Sequence, residues 1–532
     1  MEKVREFNYL EVNYLQNLLD KLWLKKRINL SLVFAMILTL FAPSMTFARQ
    51  GDSGYEGGIS SGEAPNKISY QYQEPCFLSG TPIVLSGTLI IKKTPPKVDA
   101  KTKLQTLTTT YTYNLKNGTA NTMTRKLDFV TTITLDENGQ KTESTQLKTA
   151  KESLRVGAVT YNIANVTDYE LSKSILNDIK PAVNYYAGEL WSRKTYRIGA
   201  SPDTTVVEST GKYYGYDEYW STAEAQVIKQ TISQCKPGKD PVIIGTVGID
   251  ISTTTKKQLK YYENQPNQIS FEGGYVQAQQ NENVLKYSAK LTELDKNKSP
   301  TSKVIPYTKS LKMESFPTQT RLISPNLKQI KGHPSEESIS LLFGLKAYKD
   351  PANFEPQEYM SRAEFIDAFV TVAKAVPLDP VFKAKTSTRG TKAVTPQSLF
   401  TDISTNHIYF ASINEAATRG IISGNGKSQF KPDALITVAE AVTMMVNSMG
   451  LNGLAPNPAA VTSFKDNNDI PAFARAPMYV AEKIGLIQED VKGYIHPKDK
   501  VTKAKVADMM KAYIDYMSSG IRSEYMDKIV SF

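Results

Sequence analysis

Hydrophobic and polar positions divide the chain into two textures. In the first, apolar and aromatic residues recur in short runs broken by turn signals. Residues 107–115 are rich in Thr and Tyr, which alternate from Thr110 to Tyr113, and the run stops at Asn117-Gly118. Residues 127–135 form a second run, which stops at Asn138-Gly139. Alternation marks a half-buried strand. Asn-Gly suits a tight hairpin, whose central residues need positive φ. The pattern predicts a β-meander there. It predicts further strands at 82–92, 156–166, 196–198, 204–207, 241–251, 268–278 and 284–294, and helices over 222–233 and 171–186. Residues 67–294 thus read as one all-β domain, an antiparallel sandwich or curved sheet with helical decoration.

The second texture has helical spacing. Phe365, Phe369 and Val372 fall at i, i+4 and i+7, and Val506, Met510 and Tyr513 repeat that spacing. Each set marks one buried helix face. Between the textures, residues 295–331 crowd lysine, serine and proline, as in Lys296-Asn297-Lys298-Ser299-Pro300, and read as a linker.

A length of 532 residues suggests two or three domains, and 40% hydrophobic with 10% aromatic content is enough for real cores. The formal charge of +11 points to acidic partners. Nucleic acid is the plain first guess, but the N-terminus argues for export. Lys25-Lys26-Arg27 precedes an apolar run over 28–42, then Pro43 and Thr46-Phe47-Ala48. Those are the three parts of a secretory signal, read as residues 1–48 with an overlong charged region. Residues 49–66, rich in Gly, Ser and Glu, read as a flexible leader. No other long apolar run follows, so no membrane partner is expected after cleavage.

The two cysteines, Cys76 and Cys235, lie in the exported part, where a disulfide can persist; a Cys76–Cys235 bond and two isolated buried thiols are both open. The three histidines, His333, His407 and His496, all follow residue 331. The β domain therefore has neither a histidine base nor a histidine metal site, and no cofactor motif appears. The aromatic run Tyr213-Tyr214-Gly215-Tyr216-Asp217-Glu218-Tyr219-Trp220 is its most site-like stretch. It reads either as a sugar-stacking platform or as hairpin packing.

In the last third one unit recurs. Phe354-Glu355-Pro356 leads to Met360-Ser361-Arg362-Ala363-Glu364. Phe430-Lys431-Pro432 leads to Ile436-Thr437-Val438-Ala439-Glu440, and Tyr494-Ile495-His496-Pro497 leads to Val501-Thr502-Lys503-Ala504-Lys505. A fixed-period repeat marks a reused supersecondary unit. The repeats span 332–376, 399–450 and 463–520, followed by a tail over 521–532. A basic insertion over 377–398 separates the first two. It carries Lys383, Lys385, Arg389 and Lys392 against Asp379, a local charge of 4 − 1 = +3. Ser361 with Glu364, and Thr437 with Glu440, fit the capping box, a hydroxyl at N-cap and Glu three residues on. Thr502 starts a third helix, but Lys505 stands where its Glu should be.

Repeat two also carries Phe400-Thr401-Asp402, His407-Ile408-Tyr409-Phe410-Ala411 and Gly420-Ile421-Ile422-Ser423-Gly424. With the Phe-x-Pro and Ile-Thr-x-Ala-Glu steps, these residues resemble the S-layer homology domain, a surface-anchoring repeat of bacteria. The resemblance covers roughly 332–520. It implies an all-α, pseudo-threefold domain with grooves that hold an acidic, commonly pyruvylated, wall glycan. It carries the family's groove arginine to Arg362. Val438 and Lys503 take the same place in the other repeats, and Lys505 adds a second lysine there. It carries the groove aspartates to Asp402 and Asp466, which could equally cap the next short helix. Tyr409 and Phe473 stand for the family's tryptophan.

The expectation is a secreted, non-enzymatic protein of the cell wall or S-layer surface, held on secondary cell-wall polysaccharide by its repeats. Two alternatives stay open: a wall-active enzyme with its site in the β domain, and a structural lattice protein.

Overall fold

The computed structural model describes residues 57–61, 68–98, 104–135, 140–178, 181–262, 274–295, 299–315, 317–374, 398–424, 428–456 and 460–519. The signal over 1–48, the Asn138-Gly139 turn, nearly all of the basic insertion and the tail over 521–532 lie outside them.

Among the described residues, 16 strands form one continuous antiparallel sheet. They are β1 (Ile59–Ser60), β2 (Ser69–Cys76), β3 (Ile83–Lys93), β4 (Lys97–Val98), β5 (Gln105–Asn117), β6 (Asn121–Leu135), β7 (Gln140–Val156), β8 (Val159–Ile163), β9 (Tyr169–Asp178), β10 (Asn184–Ile198), β11 (Thr204–Asp217), β12 (Ser221–Cys235), β13 (Val242–Tyr262), β14 (Gly274–Leu294), β15 (Pro300–Glu314) and β16 (Thr318–Ile323). Neighbours in sequence are mostly neighbours in space, and β8 and β9 both bridge β7 to β10.

Alternation works as the pattern requires. On β6, Met123, Leu127, Phe129 and Ile133 point inward and are buried. The sheet curls so that its two ends approach. Asn283 on β14 donates Nδ2 to the Ser60 carbonyl on β1 at 2.7 Å, and Phe77, just past β2, meets Tyr287 of β14 edge-on at 5.2 Å. A buried ion cluster ties this interior. Arg125 on β6 holds Glu152 on the adjacent β7 at 2.7 Å and Glu74 on β2 at 2.9 Å. Strand β2 is not adjacent to β6 in the sheet, so the second pair crosses the interior.

Three readings of the β region change. Residues 222–233 lie in strand β12, and 171–186 lie in β9 and the start of β10. Ala, Glu, Gln and Lys in 222–233 favour a helix. Tertiary pairing overrides that preference, and the inward face of β12 carries Glu224, Gln226 and Gln234, which hides its period of two. The linker over 295–331 contains β15 and β16, both paired with β14. The leader over 49–66 contains β1, which is buried against β2.

Cys76 and Cys235 are free thiols, not a disulfide. They sit on β2 and β12, which are not neighbouring strands. Burial pushes the Cys76 thiol up to about 12, with Glu74 and Glu152 adding to it against the Leu78 amide and Arg125.

The C-terminal third forms three short-long helix pairs: α1 (Glu336–Gly344) with α2 (Arg362–Ala373), α3 (Phe410–Thr418) with α4 (Val438–Met449), and α5 (Arg475–Lys483) with α6 (Lys503–Ser519). Each short helix ends at a left-handed residue, Lys346, Gly420 or Gly485, at φ of 64°, 70° and 70°. Glycine adopts that conformation freely and lysine does not, so repeat one lacks the glycine signal at the place where repeats two and three carry it. The long helices converge, with Phe369 of α2 edge-on to Tyr513 of α6 at 5.0 Å.

The hairpin ends of the sheet seat on the C-termini of all three long helices. The Trp220 indole donates to the Val372 carbonyl at 3.0 Å. The Ala182 amide reaches the Ser448 carbonyl and the Tyr185 hydroxyl the Met449 carbonyl, each at 2.8 Å. Ser221 Oγ donates to the Met517 carbonyl at 2.6 Å. Helix C-termini leave carbonyls without partners, and here the sheet supplies donors. Tyr185, Tyr216 and Trp220 accordingly share one hydrophobic cluster with the helices. The end of the aromatic run, from Tyr216 to Trp220, therefore packs a joint, and Tyr213 lies in the sheet's own core, so the run is not an open stacking platform.

Candidate functional site: the seams between the helical repeats

At the opposite end of the long helices the chain closes a ring. The Met360 amide donates to the Val501 carbonyl at 3.1 Å, Val501 to Ile436 at 3.1 Å, and Ile436 to Met360 at 3.0 Å. Each long helix then leans on the next repeat. Arg362 and Ala363 amides bond the Ala434 and Pro432 carbonyls, Val438 and Ala439 bond Asp499 and Pro497, and Lys503 and Ala504 bond Glu358 and Pro356. The helix-start residues thus lie on three equivalent seams.

The caps follow from local chemistry. Ser361 Oγ accepts the Glu364 amide at 3.2 Å while Glu364 Oε2 accepts the Ser361 amide at 2.8 Å. Thr437 and Glu440 do the same at 3.3 and 2.9 Å. Thr502 Oγ1 accepts the Lys505 amide at 3.3 Å. A lysine cannot return the bond, so α6 has half a box and an exposed ammonium where its sisters carry a carboxylate.

Arg362 lies on the first seam, and its side chain is only 13% exposed. Nη1 pairs with Glu440 Oε1 at 2.7 Å, Nε donates to the Phe430 carbonyl at 3.0 Å, and the guanidinium lies 4.9 Å over the Phe430 ring. It rivets repeat one to repeat two. Lys503 repeats the arrangement on the third seam, 5.8 Å over Phe354 and paired with Glu358. Val438, at the middle seam, is buried.

Asp402 and Asp466 hold the turns that lead into Pro432 and Pro497. Asp402 accepts the Phe430 and Lys431 amides at 2.9 and 2.7 Å, and Asp466 accepts the Ile495 and His496 amides at 3.1 and 2.7 Å. The carboxylates support Lys431 and His496 in the left-handed region, at φ of 58° and 54°. Burial raises the Asp402 carboxyl, but the amides and Arg362 outweigh it and hold the group below its ordinary range. Neither aspartate caps a following helix with its side chain; Asp466 begins a short turn without a side-chain bond to it.

Tyr409 is the N-cap residue of α3, half-buried, and burial beside Glu364 and Asp367 raises its hydroxyl. The N-cap residues of the other short helices are Ser335 and Ala474. Phe473 therefore occupies the place of Ile408, and both stand outward, 58% and 83% exposed. Sequence reading missed the residues that stitch the helices across the seams. Ser412 Oγ donates to Asp367 on α2, and Ser335 Oγ to Asp508 on α6, each at 2.7 Å. Both aspartates lie six residues past their caps (367 − 361 and 508 − 502), a recurrence visible in the sequence once the repeats are aligned.

The sheet has a separate small cavity of about 50 Å³, lined by Tyr111, Phe129, Thr131, Thr145, Glu143 and Lys173. Its polar groups have partners within the sheet. Thr131 and Thr145 hydroxyls bond at 2.8 Å, Glu143 pairs with Lys141 at 2.7 Å, and Lys173 lies 4.5 Å over the Tyr213 ring.

No helix among the described residues is long and apolar enough to cross a membrane. No curated protein matches the chain. Residues 399–442 match the family model of the S-layer homology domain. That stretch runs from just before Phe400 through the Asp402 turn, Tyr409 and the Thr437–Glu440 box. Such a domain indicates a cell-surface protein associated with cell-wall polysaccharide. The chain thus carries an S-layer homology domain match at residues 399–442.

Proposed function

We propose that all three helical repeats, not only the matched one, form a pseudo-threefold S-layer homology module that holds an exported, non-enzymatic protein on acidic, pyruvylated secondary cell-wall polysaccharide. The carrying observation is the closed ring of Met360, Ile436 and Val501 amides, which treats the three repeats as equivalents. The β sheet is the displayed part. The anion-binding charge sits foremost at the start of α6. Arg362 is already neutralised by Glu440, whereas Lys505 projects from the first turn of α6, where helix N-termini favour anions. Lys503 beside it is already paired with Glu358, and the exposed Phe473 offers an apolar face to a sugar ring beside α5.

The test is co-sedimentation of the full chain with purified walls, before and after the secondary polysaccharide is extracted. Binding should be lost on extraction. Equal binding to extracted walls would sink the reading.

A further inference from the structure

The joint between sheet and helices contains a carboxyl group at the centre of a hydrogen-bond cluster that has one proton too few. Glu218 lies in the turn between β11 and β12 and is buried. Its Oε2 accepts the Trp220 amide at 2.7 Å, and its Oε1 accepts the Ser221 amide. Ser221 Oγ stands 2.9 Å from Glu218 Oε1, 2.6 Å from the Met517 carbonyl and 3.1 Å from the Tyr216 hydroxyl. A serine hydroxyl has one proton and two lone pairs. The Met517 carbonyl only accepts, and an ionised carboxylate only accepts. Ser221 cannot donate to both.

We propose that Glu218 is a proton-operated clasp between the β sheet and the C-terminus of α6. In the closed form the carboxyl carries its proton and donates it to Ser221 Oγ. Ser221 then gives its own proton to the Met517 carbonyl, and every contact is a hydrogen bond. When Glu218 loses its proton to solvent, the carboxylate claims the Ser221 hydroxyl, because a bond to a charge is the stronger one. The Met517 carbonyl is left without a donor, which weakens the seat of α6.

The surroundings favour the protonated form. Lys257 on β13 is the nearest cation, and its ammonium is turned to the Tyr219 carbonyl and ring. Tyr216 and Asp217 on β11, Tyr185 on β10, and Tyr513 and Tyr516 on α6 complete the side chains of the pocket, with Lys374 past the end of α2 held by Tyr219. Burial pushes the Glu218 carboxyl up to about 8, against the Trp220 and Ser221 bonds and Lys257, which pull it down. A carboxyl raised in the closed form and ordinary in the open form favours closure at low pH. That preference is present in full below the open-form value of 4.5 and is lost as pH rises towards about 8.

The experiment uses the full chain. Native-state hydrogen exchange over α6, corrected for the intrinsic pH dependence, should show opening that rises about tenfold per pH unit between about pH 5 and 8 and then levels. Glu218→Gln cannot ionise; its amide nitrogen can donate to Ser221 Oγ but no longer accepts the Ser221 amide, so its opening should start higher and stay flat with pH. An identical slope in the variant, or a flat wild type, overturns the clasp. Infrared spectroscopy of the wild-type chain serves if the variant does not fold. A protonated-carboxyl band should persist at neutral pH and disappear above about pH 8, and its absence at neutral pH would equally refute the proposal.

Discussion

The Trp220 indole and the Val372 carbonyl, 152 residues apart, meet at 3.0 Å at the end of helix α2. Trp220 is fully buried and lies edge-on to Tyr219 at 5.0 Å. The bond satisfies a carbonyl that a free helix end would expose to water. The sheet and the helical repeats therefore share one packed joint.

Removing that indole should be costly. Trp220→Ala is expected to destabilise the chain by about 3–5 kcal/mol, the usual cost of emptying a large buried site. Trp220→Phe keeps most of the volume and loses the hydrogen bond, so it should cost about 1–3 kcal/mol. Urea denaturation of the two variants checks the order. A cost near zero for Trp220→Ala would mean that the joint adds nothing to stability.

The interior ion cluster should govern acid stability. Burial raises the Glu152 carboxyl, but Arg125, Lys194 and the Arg125 and Tyr196 hydrogen bonds prevail and bring it down to about 2. Its stabilising contribution is present above the ordinary 4.5 and is lost as pH falls towards about 2. The size is on the order of 3 kcal/mol. Glu152→Gln should flatten the fall in melting temperature across that window. Glu152→Ala leaves Arg125 buried with Glu74 alone and should cost about 3–5 kcal/mol at neutral pH.

The thiols should react unequally. Burial holds the Cys76 thiol up to about 12, so it carries almost no thiolate near neutral pH. Alkylation of the native, unreduced chain followed by mass spectrometry should label Cys235 well before Cys76. A mass two protons lighter than the dithiol, reversed by reductant, would instead mean that the two cysteines are joined.

Lys505→Glu should move stability and binding in opposite directions. It restores the missing capping carboxylate of α6, worth about 0.5–2 kcal/mol of stability. It also replaces a cation by an anion at the helix start proposed to hold the acidic glycan, so wall binding should fall at least about tenfold. Arg362→Ala should show the contrary balance, a loss of about 1–3 kcal/mol of stability from the broken pair with Glu440. Thermal melts and wall-binding isotherms on the same samples separate the two roles. Unchanged wall affinity in Lys505→Glu would remove the start of α6 as the anion site.

The sequence by itself determined those features whose cause is local. Alternating Thr and Tyr with the Asn117-Gly118 turn specify the β5–β6 hairpin, because one face is apolar and the turn tolerates positive φ. Hydroxyl and glutamate three apart specify the starts of α2 and α4. The repeated Phe-x-Pro and Gly steps point to the family of residues 399–442. Only the tertiary structure decided the rest. Strand β12 lines the curled sheet with Glu224 and Gln226, so its polar inward face resembles a helix's mixed composition. Strand β15 faces largely outward and therefore resembles a linker. Arg362 looked available to a ligand because its partner, Glu440, lies 78 residues along the chain. Local periodicity reports which face of an element is apolar. It carries no information about which distant group will take a charge, cap a helix end or claim a serine's proton, because those are settled by packing between elements.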